Sequence, residues 1–190
     1  MAALTDDLLL EQIRQGDAAS FEALFYRHYD RVYGLLFRLM GSRGEAEDLT
    51  QEAFLKLYRH AFSKRPFANA RFNARQEQNI SAWLYRVATN LGYDALRGRR
   101  RRLQRDTILL PDPQGVPGAE KEVERREERT AVRAALARLS RRQVQLLLLR
   151  QMEFSYAECA AVCDVAPGSV GTLLARAASD FRKVYEENSG

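Results

Sequence analysis

A proline- and glycine-rich break divides an otherwise helical sequence. The stretch "DTILLPDPQGVPG", residues 106–118, holds three of the five prolines and two glycines, so it cannot continue a helix. Six arginines fall within the nine residues before it, 97–105, and a charged helical pattern resumes after it. The sequence therefore predicts a helical domain over residues 1–102, a flexible linker over 103–119 and a second helical domain over 120–190.

Both halves carry helix signals and almost no strand signals. Apolar residues recur with helical spacing, and no stretch alternates apolar and polar residues with β-branched enrichment. Three patterns match the capping box, in which side chains satisfy free amides at a helix start: Ser42 with Glu45, Ser140 with Gln143, and Ser155 with Glu158. We predict an all-α fold of two small helical domains.

Composition and charge narrow the function class. The formal net charge of +5 and the pI near 9.4 suit a polyanionic partner. The sequence has no long apolar run, and its start, "MAALTDDLLLEQ", is acidic and lacks a cleavage site. We expect a mature, soluble, cytoplasmic protein without membrane insertion.

Neither metal chemistry nor catalysis is indicated. Cys159 and Cys163 are the two cysteines, and the two histidines, His28 and His60, lie far from them in sequence. The sequence therefore offers too few neighbouring ligands for a zinc site. The two cysteines fit either small buried apolar residues or a redox pair. A phosphate-binding glycine loop and a paired nucleophile and base are also missing. We expect no catalytic residues and no cofactor.

The second half predicts a helix-turn-helix. One helix covers about 141–151 and a short one about 155–163, then "DVA" turns and Pro167 opens the last helix. In such a unit the second helix enters the DNA major groove. Its outward positions carry small residues and one cation: Gly168, Ser169, Gly171, Thr172, Ala175, Arg176 and Ser179. A four-helix bundle fragment with a tight turn fits the same spacing.

The last helix of the first half has a mixed outward face. An apolar stripe points inward, and the opposite face presents cations, an amide and aromatic rings: Trp83, Arg86, Thr89, Asn90, Tyr93 and Arg97. Cations follow phosphates, amides bind base edges and rings stack on unpaired bases, a set suited to separated or distorted strands. A solvated cationic face is the alternative.

A further helix, "EDLTQEAFLKLYRH", carries one leucine on its polar face. Leu55 lies opposite the apolar stripe, among Asp48, Gln51 and Glu52. Isolated exposed leucines are common. An apolar residue inside a charged rim is also the pattern of a protein-docking surface.

Taken together, these motifs resemble the bacterial sigma factors of RNA polymerase, in particular the compact extracytoplasmic-function (ECF) group. The pattern D-L-x-Q-E-x-F is followed by W-L-Y-R-x-A-x-N with a later D-x-L-R, and then by the S-Y-x-E helix-turn-helix. The resemblance covers nearly the whole chain. It implies a sigma region 2-like helical bundle and a sigma region 4-like helix-turn-helix joined by a flexible linker.

The resemblance also implies a function and its residues. The chain would bind core RNA polymerase, direct it to promoter DNA and assist melting. Docking on the clamp coiled coil of the largest subunit would use Asp48, Gln51, Glu52, Leu55 and Tyr58. The −10 element would meet Trp83, Arg86, Asn90, Tyr93 and Arg97. The −35 element would meet Ser169, Thr172 and Arg176.

Three departures from the family pattern qualify these expectations. The connection over 60–81 is longer than usual, with Phe67, Arg71, Phe72 and Asn73 as base-capture candidates. The recognition helix "GSVGTLLAR" lacks the usual basic residue at Gly171 and the arginine at Leu173, which predicts weaker or different −35 contacts. No sensing domain follows, so we expect regulation by a separate anti-sigma protein or by control of synthesis.

Two alternative functions fit part of this pattern. A stand-alone helix-turn-helix regulator would bind duplex DNA tightly without polymerase. A non-productive relative would bind polymerase without opening promoters.

Overall fold

The structure, a computed structural model, describes residues 4–62, 79–105 and 120–189. Within these ranges every regular element is helical, which confirms the all-α prediction. The helices are α1 Asp6–Arg14, α2 Ala18–Met40, α3 Arg43–Ala61, α4 Ile80–Arg105, α5 Glu120–Leu136, α6 Arg141–Gln151, α7 Tyr156–Cys163 and α8 Val170–Ser189, with a 3-10 turn at Pro167–Ser169.

Helices α1 to α4 form the first unit. Its core consists of buried aliphatic and aromatic side chains from all four helices, including Leu9, Ile13, Leu24, Leu35, Leu36, Leu39, Phe54, Leu57 and Leu84. Helices α2 and α4 approach closely at Gly92, where an added Cβ would lie 2.7 Å from Leu39 Cδ1. This contact fixes the position of α4 against the core.

The arginine-rich end of α4 is helical. The helix continues past the boundary predicted at residue 102, as far as Arg105. Arginine, leucine and glutamine are all good helix formers, so the run favours continuation. The domain and linker boundaries remain predictions.

Helices α5 to α8 form the second unit. The predicted capping boxes at Ser140 and Ser155 are both present, and each fixes the start of its helix. Asp164 ends α7 in the left-handed conformation, at φ 55°.

The third predicted capping box, at Ser42, lies in the first unit at the start of α3. The Ser42 side chain accepts the Glu45 N–H at 3.4 Å. The Glu45 carboxylate lies 3.7 Å from Arg99.

The two cysteines are free and buried in this unit. Burial raises the pKa of the Cys163 thiol to about 12. A thiol with so high a pKa forms little thiolate, so this environment favours the small buried apolar role over the redox role.

The two units pack against each other. Helix α4 contacts both α6 and α7. At the centre of this contact the buried rings of Tyr85, on α4, and Phe154, before α7, meet edge to face with centroids 5.0 Å apart. Phe154 also lies under the guanidinium of Arg31 on α2, 5.5 Å away. The described chain therefore shares one continuous core.

Within the described ranges, two further features are absent. None of their helices is long and apolar enough to cross a membrane. Nor does this part of the chain bring together three or more side chains that could hold a metal ion.

Candidate functional site

The outward face of α3 is exposed as the sequence predicts. Its inward residues Ala53, Phe54 and Leu57 are buried in the core, whereas Leu55 on the opposite side is 45% exposed. Three polar residues surround that leucine on the exposed side: Asp48, Gln51 and Glu52. We call this exposed surface, with Tyr58, the α3 face.

Local contacts stabilise the α3 face. Glu52 forms an ion pair with Lys56 one turn along, at 3.2 Å. The Tyr58 ring is 45% exposed and packs between Phe21 and Phe62, with centroids 5.2 and 4.8 Å away. The result is an apolar strip at one end of α3 and a polar rim at the other, a composition typical of protein interfaces.

The predicted outward face of α4 lies largely against the second unit. We call its five predicted DNA-binding residues the α4 face: Trp83, Arg86, Asn90, Tyr93 and Arg97. Trp83 stacks on His60, with ring centroids 5.1 Å apart. Arg97 is exposed and lies over the Tyr93 ring at 5.8 Å. The structure therefore brings all five onto one helix, with three of them in contact with α6, α7 or the turn before α6.

Arg86 makes two of those contacts with α7. Its Nε donates to Val162 O at 2.6 Å, and its Nη2 donates to Ala161 O at 2.5 Å. Burial lowers the pKa of Arg86, and the nearby Asp164 opposes that shift. Carbonyls in the last turn of a helix have no partner within that helix, so the guanidinium supplies the hydrogen bonds that both carbonyls lack. Its positive charge also interacts favourably with the negative end of the α7 dipole.

Asn90 and Tyr93 meet α6 and the turn before it. Gln145, on α6, is 5% exposed, and its Nε2 donates to Asn90 Oδ1 at 3.1 Å and to Thr89 Oγ1 at 2.7 Å. The Tyr93 hydroxyl donates to Leu139 O at 2.9 Å. The sequence predicts that these side chains face outward, whereas the structure places them in the contact between the units.

The exposed side of α8 matches the predicted reading surface. Val170 and Ala177 are buried, and Leu174 and Phe181 pack against the core. The outward residues Ser169, Thr172 and Arg176 are all exposed. The helix-turn-helix arrangement of α7 and α8 therefore leaves this surface open.

One group of predicted residues lies outside the described ranges, and three residues at the contact between the units were not predicted as functional. The base-capture candidates Phe67, Arg71, Phe72 and Asn73 lie outside the described residues. The residues that join the units, Tyr85, Gln145 and Phe154, were not predicted as functional. The sequence does mark Gln145 as unusual, because it is the only polar residue within the apolar run "VQLLLL". A polar residue in such a run is one that could be buried with a specific hydrogen-bond partner.

Comparison with protein families assigns both units. Residues 24–102 match Sigma-70 region 2, and residues 129–180 match Sigma-70, region 4. The α3 and α4 faces lie within the first match and the exposed side of α8 within the second.

Individual relatives match along nearly the whole chain. The ECF RNA polymerase sigma-E factor of Haemophilus influenzae is 31% identical over 184 residues, 92% of this chain and 92% of that protein. The RNA polymerase sigma-H factor of Pseudomonas aeruginosa is 29% identical, covering 95% and 94% of the two chains. The ECF RNA polymerase sigma-E factor of Escherichia coli is 29% identical, covering 92% and 91%.

A solved structure shares the fold. CnrH, solved in complex with the cytosolic domain of CnrY, superimposes with a TM-score of 0.58 over 96% of this chain and 97% of that chain. The sequence identity is 18%, so this likeness concerns the fold alone.

Proposed function

The chain belongs to the ECF sigma factors of bacterial RNA polymerase, and we propose that its α3 face is the surface that docks on the polymerase. It is a transcription initiation factor that directs polymerase to promoters. Sigma factors are non-enzymatic, and their two regions bind polymerase and promoter DNA.

One observation carries the docking proposal. Leu55 is 45% exposed, whereas Ala53, Phe54 and Leu57 on the opposite face of the same helix are buried in the core, so a large part of this leucine is left uncovered by the fold. Its neighbours Asp48 and Glu52 are acidic and suit a basic partner surface. The resemblance to sigma factors supports the clamp coiled coil of the largest polymerase subunit as that partner.

The DNA surfaces complete the proposal. The α4 face would bind the −10 element and help to separate its strands, since it combines cations, an amide and stacking rings. The exposed side of α8, with Ser169, Thr172 and Arg176, would bind the −35 element. Arg176 is the strongest hydrogen-bond donor there, and the small residues around it permit close approach to the groove.

Family membership supports two further proposals, one on regulation and one on location. A separate anti-sigma protein is the expected regulator, and the cytoplasm, where polymerase and DNA meet, is the expected location. The sigma-like match in both units favours this function over a stand-alone helix-turn-helix regulator, which would need no α3 face.

A charge-reversal variant tests docking. Leu55→Asp with Glu52→Lys removes the apolar contact and reverses one charge on the α3 face. If Leu55 is a hot-spot residue of the interface, its loss costs about 2 kcal/mol or more, roughly a 30-fold weaker affinity for core polymerase. Binding of the labelled chain to purified core enzyme measures this change.

The control is a matched exposed leucine. Leu8 on α1 is 53% exposed, so Leu8→Asp repeats the leucine-to-aspartate part of the change away from the α3 face. Both variants should keep the circular dichroism and unfolding midpoint of the parent. Equal polymerase affinity for the α3 variant and the Leu8 control would refute the docking assignment.

A further inference from the structure

A cavity of about 370 Å³ lies between the C-terminal parts of α4 and α5. Its volume falls within the range of small-molecule sites, roughly 300–1,000 Å³. The described residues that line it include no acidic side chain but four arginines: Arg99, Arg100, Arg133 and Arg138. Because cations approach from both helices, the cavity concentrates positive charge and attracts anions.

Arg133 shows that this positive charge is not balanced within the described ranges. Its Nε is buried and has no hydrogen-bond partner there. Burial lowers the pKa of Arg133, and the neighbouring Arg99 and Arg129 lower it further, whereas Glu45 opposes the shift. The Glu45 Oε2 lies 3.7 Å from Arg99 Nη1 and accepts no hydrogen bond from the described residues. A buried donor without an acceptor costs free energy, so a bound anion would stabilise this group.

The arginine side chains have the geometry that phosphate groups require. Each guanidinium is planar and carries five N–H donors, so it can bind two phosphate oxygens side by side. Arg100 Nη1 donates to Ala137 O at 3.4 Å, which uses one of those donors. Arg138 is positioned by Glu187 on α8, which accepts from its Nη2 at 2.8 Å. A ligand with several phosphate groups would therefore meet donors from both sides of the cavity.

Part of the cavity wall is apolar. Leu96 and Ala137 line it and are buried, whereas Leu103 lines it and is 58% exposed. The fold leaves much of Leu103 uncovered, so a flat apolar group in the cavity would be stabilised by packing against it. Guanidinium planes also stack on aromatic rings. Phosphate-binding groups beside an apolar, stacking surface suit a nucleoside phosphate better than inorganic phosphate.

We propose that this cavity binds a free nucleoside di- or triphosphate, with the phosphates on the arginines and the base against Leu103. None of the described cavity residues belongs to the α3 face, the α4 face or the exposed side of α8, so the site does not depend on the roles proposed for them. A free nucleotide suits the cavity better than duplex DNA does. The backbone of a duplex reaches exposed cations, whereas the Nε of Arg133 is buried.

Two double variants with equal charge test the site. The cavity variant combines Arg100→Gln with Arg133→Gln, and its control combines Arg102→Gln with Arg126→Gln. Arg102 and Arg126 are exposed residues of the same two helices and do not line the cavity. Each variant loses two positive charges, so the general attraction of the chain for anions falls equally in both.

Isothermal titration calorimetry of the full chain with ATP and with GTP, at constant ionic strength and without divalent cations, measures binding. The parent and the control should bind at least one nucleotide with similar affinity. The cavity variant should bind it about tenfold more weakly or worse, because charge-assisted hydrogen bonds to the phosphates are lost. All three proteins should keep the circular dichroism of the parent.

Inorganic tripolyphosphate separates the two parts of the ligand, since it carries the phosphates without the nucleoside. The parent should bind it more weakly than the nucleotide. Leu103→Ser should reduce that difference, because it removes the apolar surface proposed for the base. Equal affinity of the parent for tripolyphosphate and for both nucleotides would overturn the nucleoside assignment.

Three other results would overturn the site itself. The parent would bind neither nucleotide, or the cavity variant and its control would lose the same affinity. A larger loss of duplex DNA affinity in the cavity variant than in its control would assign the arginines to DNA instead. The single variants Arg100→Gln and Arg133→Gln repeat the comparison if the double variant unfolds.

Discussion

The ring contact between Tyr85 and Phe154 should couple the stability of the two units. Both side chains are buried, with centroids 5.0 Å apart and ring planes at 89°. Such edge-to-face pairs contribute about 0.5–1.5 kcal/mol beyond the apolar area they bury. We expect the upper half of that range, because water is excluded from both rings.

A double-mutant cycle isolates this energy. Tyr85→Leu and Phe154→Leu each keep an apolar side chain but remove one ring. Tyr85 also contacts His28, whose Nδ1 lies 3.1 Å from the Tyr85 hydroxyl. Both variants that carry Tyr85→Leu lose this contact, so its energy cancels in the cycle. Urea unfolding of the parent, the two single variants and the double variant gives the coupling energy.

A pair inside the first unit serves as the control. Phe25 and Phe54 pack with centroids 4.6 Å apart and belong to α2 and α3. Their cycle should show coupling whether or not the units pack together. Additive effects at Tyr85 and Phe154, within about 0.3–0.5 kcal/mol, would refute the packing of α4 on the second unit.

Two further predictions concern acid stability and strand opening. Burial raises the pKa of Asp6, but hydrogen bonds from His28 and Arg27 outweigh it and hold the pKa below its ordinary value. The stabilisation by Asp6 is therefore fully present above the pKa of an unfolded aspartate and lost as pH falls through the lower folded value. Asp6→Asn should flatten the acid dependence of the unfolding midpoint, and an unchanged slope would contradict this. Trp83→Ala should leave the closed promoter complex largely intact but reduce permanganate-detected strand opening, whereas equal opening would refute its role.

Helix ends and the exposure of single side chains could be predicted from the sequence, because they depend on residues that are close together in the chain. The bounds predicted for α6 match those observed, since Ser140 and Gln143 define its start. The exposure of Leu55 follows from helical periodicity alone. The buried state of both cysteines follows from their apolar surroundings.

The packing of the two units was not predictable in the same way. Arg86, Asn90 and Tyr93 are polar, so periodicity assigns them to solvent or a ligand, and nothing local distinguishes DNA from another part of the chain. Gln145 stands in an apolar run, but its partners on α4 are more than fifty residues away in sequence. Side-chain contacts at that separation depend on the tertiary structure.

Reconstitution with core RNA polymerase tests the central claim most directly. The purified chain is mixed with bacterial core enzyme, the mixture is separated by size exclusion, and the complex transcribes a library of genomic fragments. We predict co-elution and a set of discrete transcription starts that share −35 and −10 elements. A chain that does not co-elute with core polymerase, and binds duplex DNA alone, would contradict promoter-directed initiation.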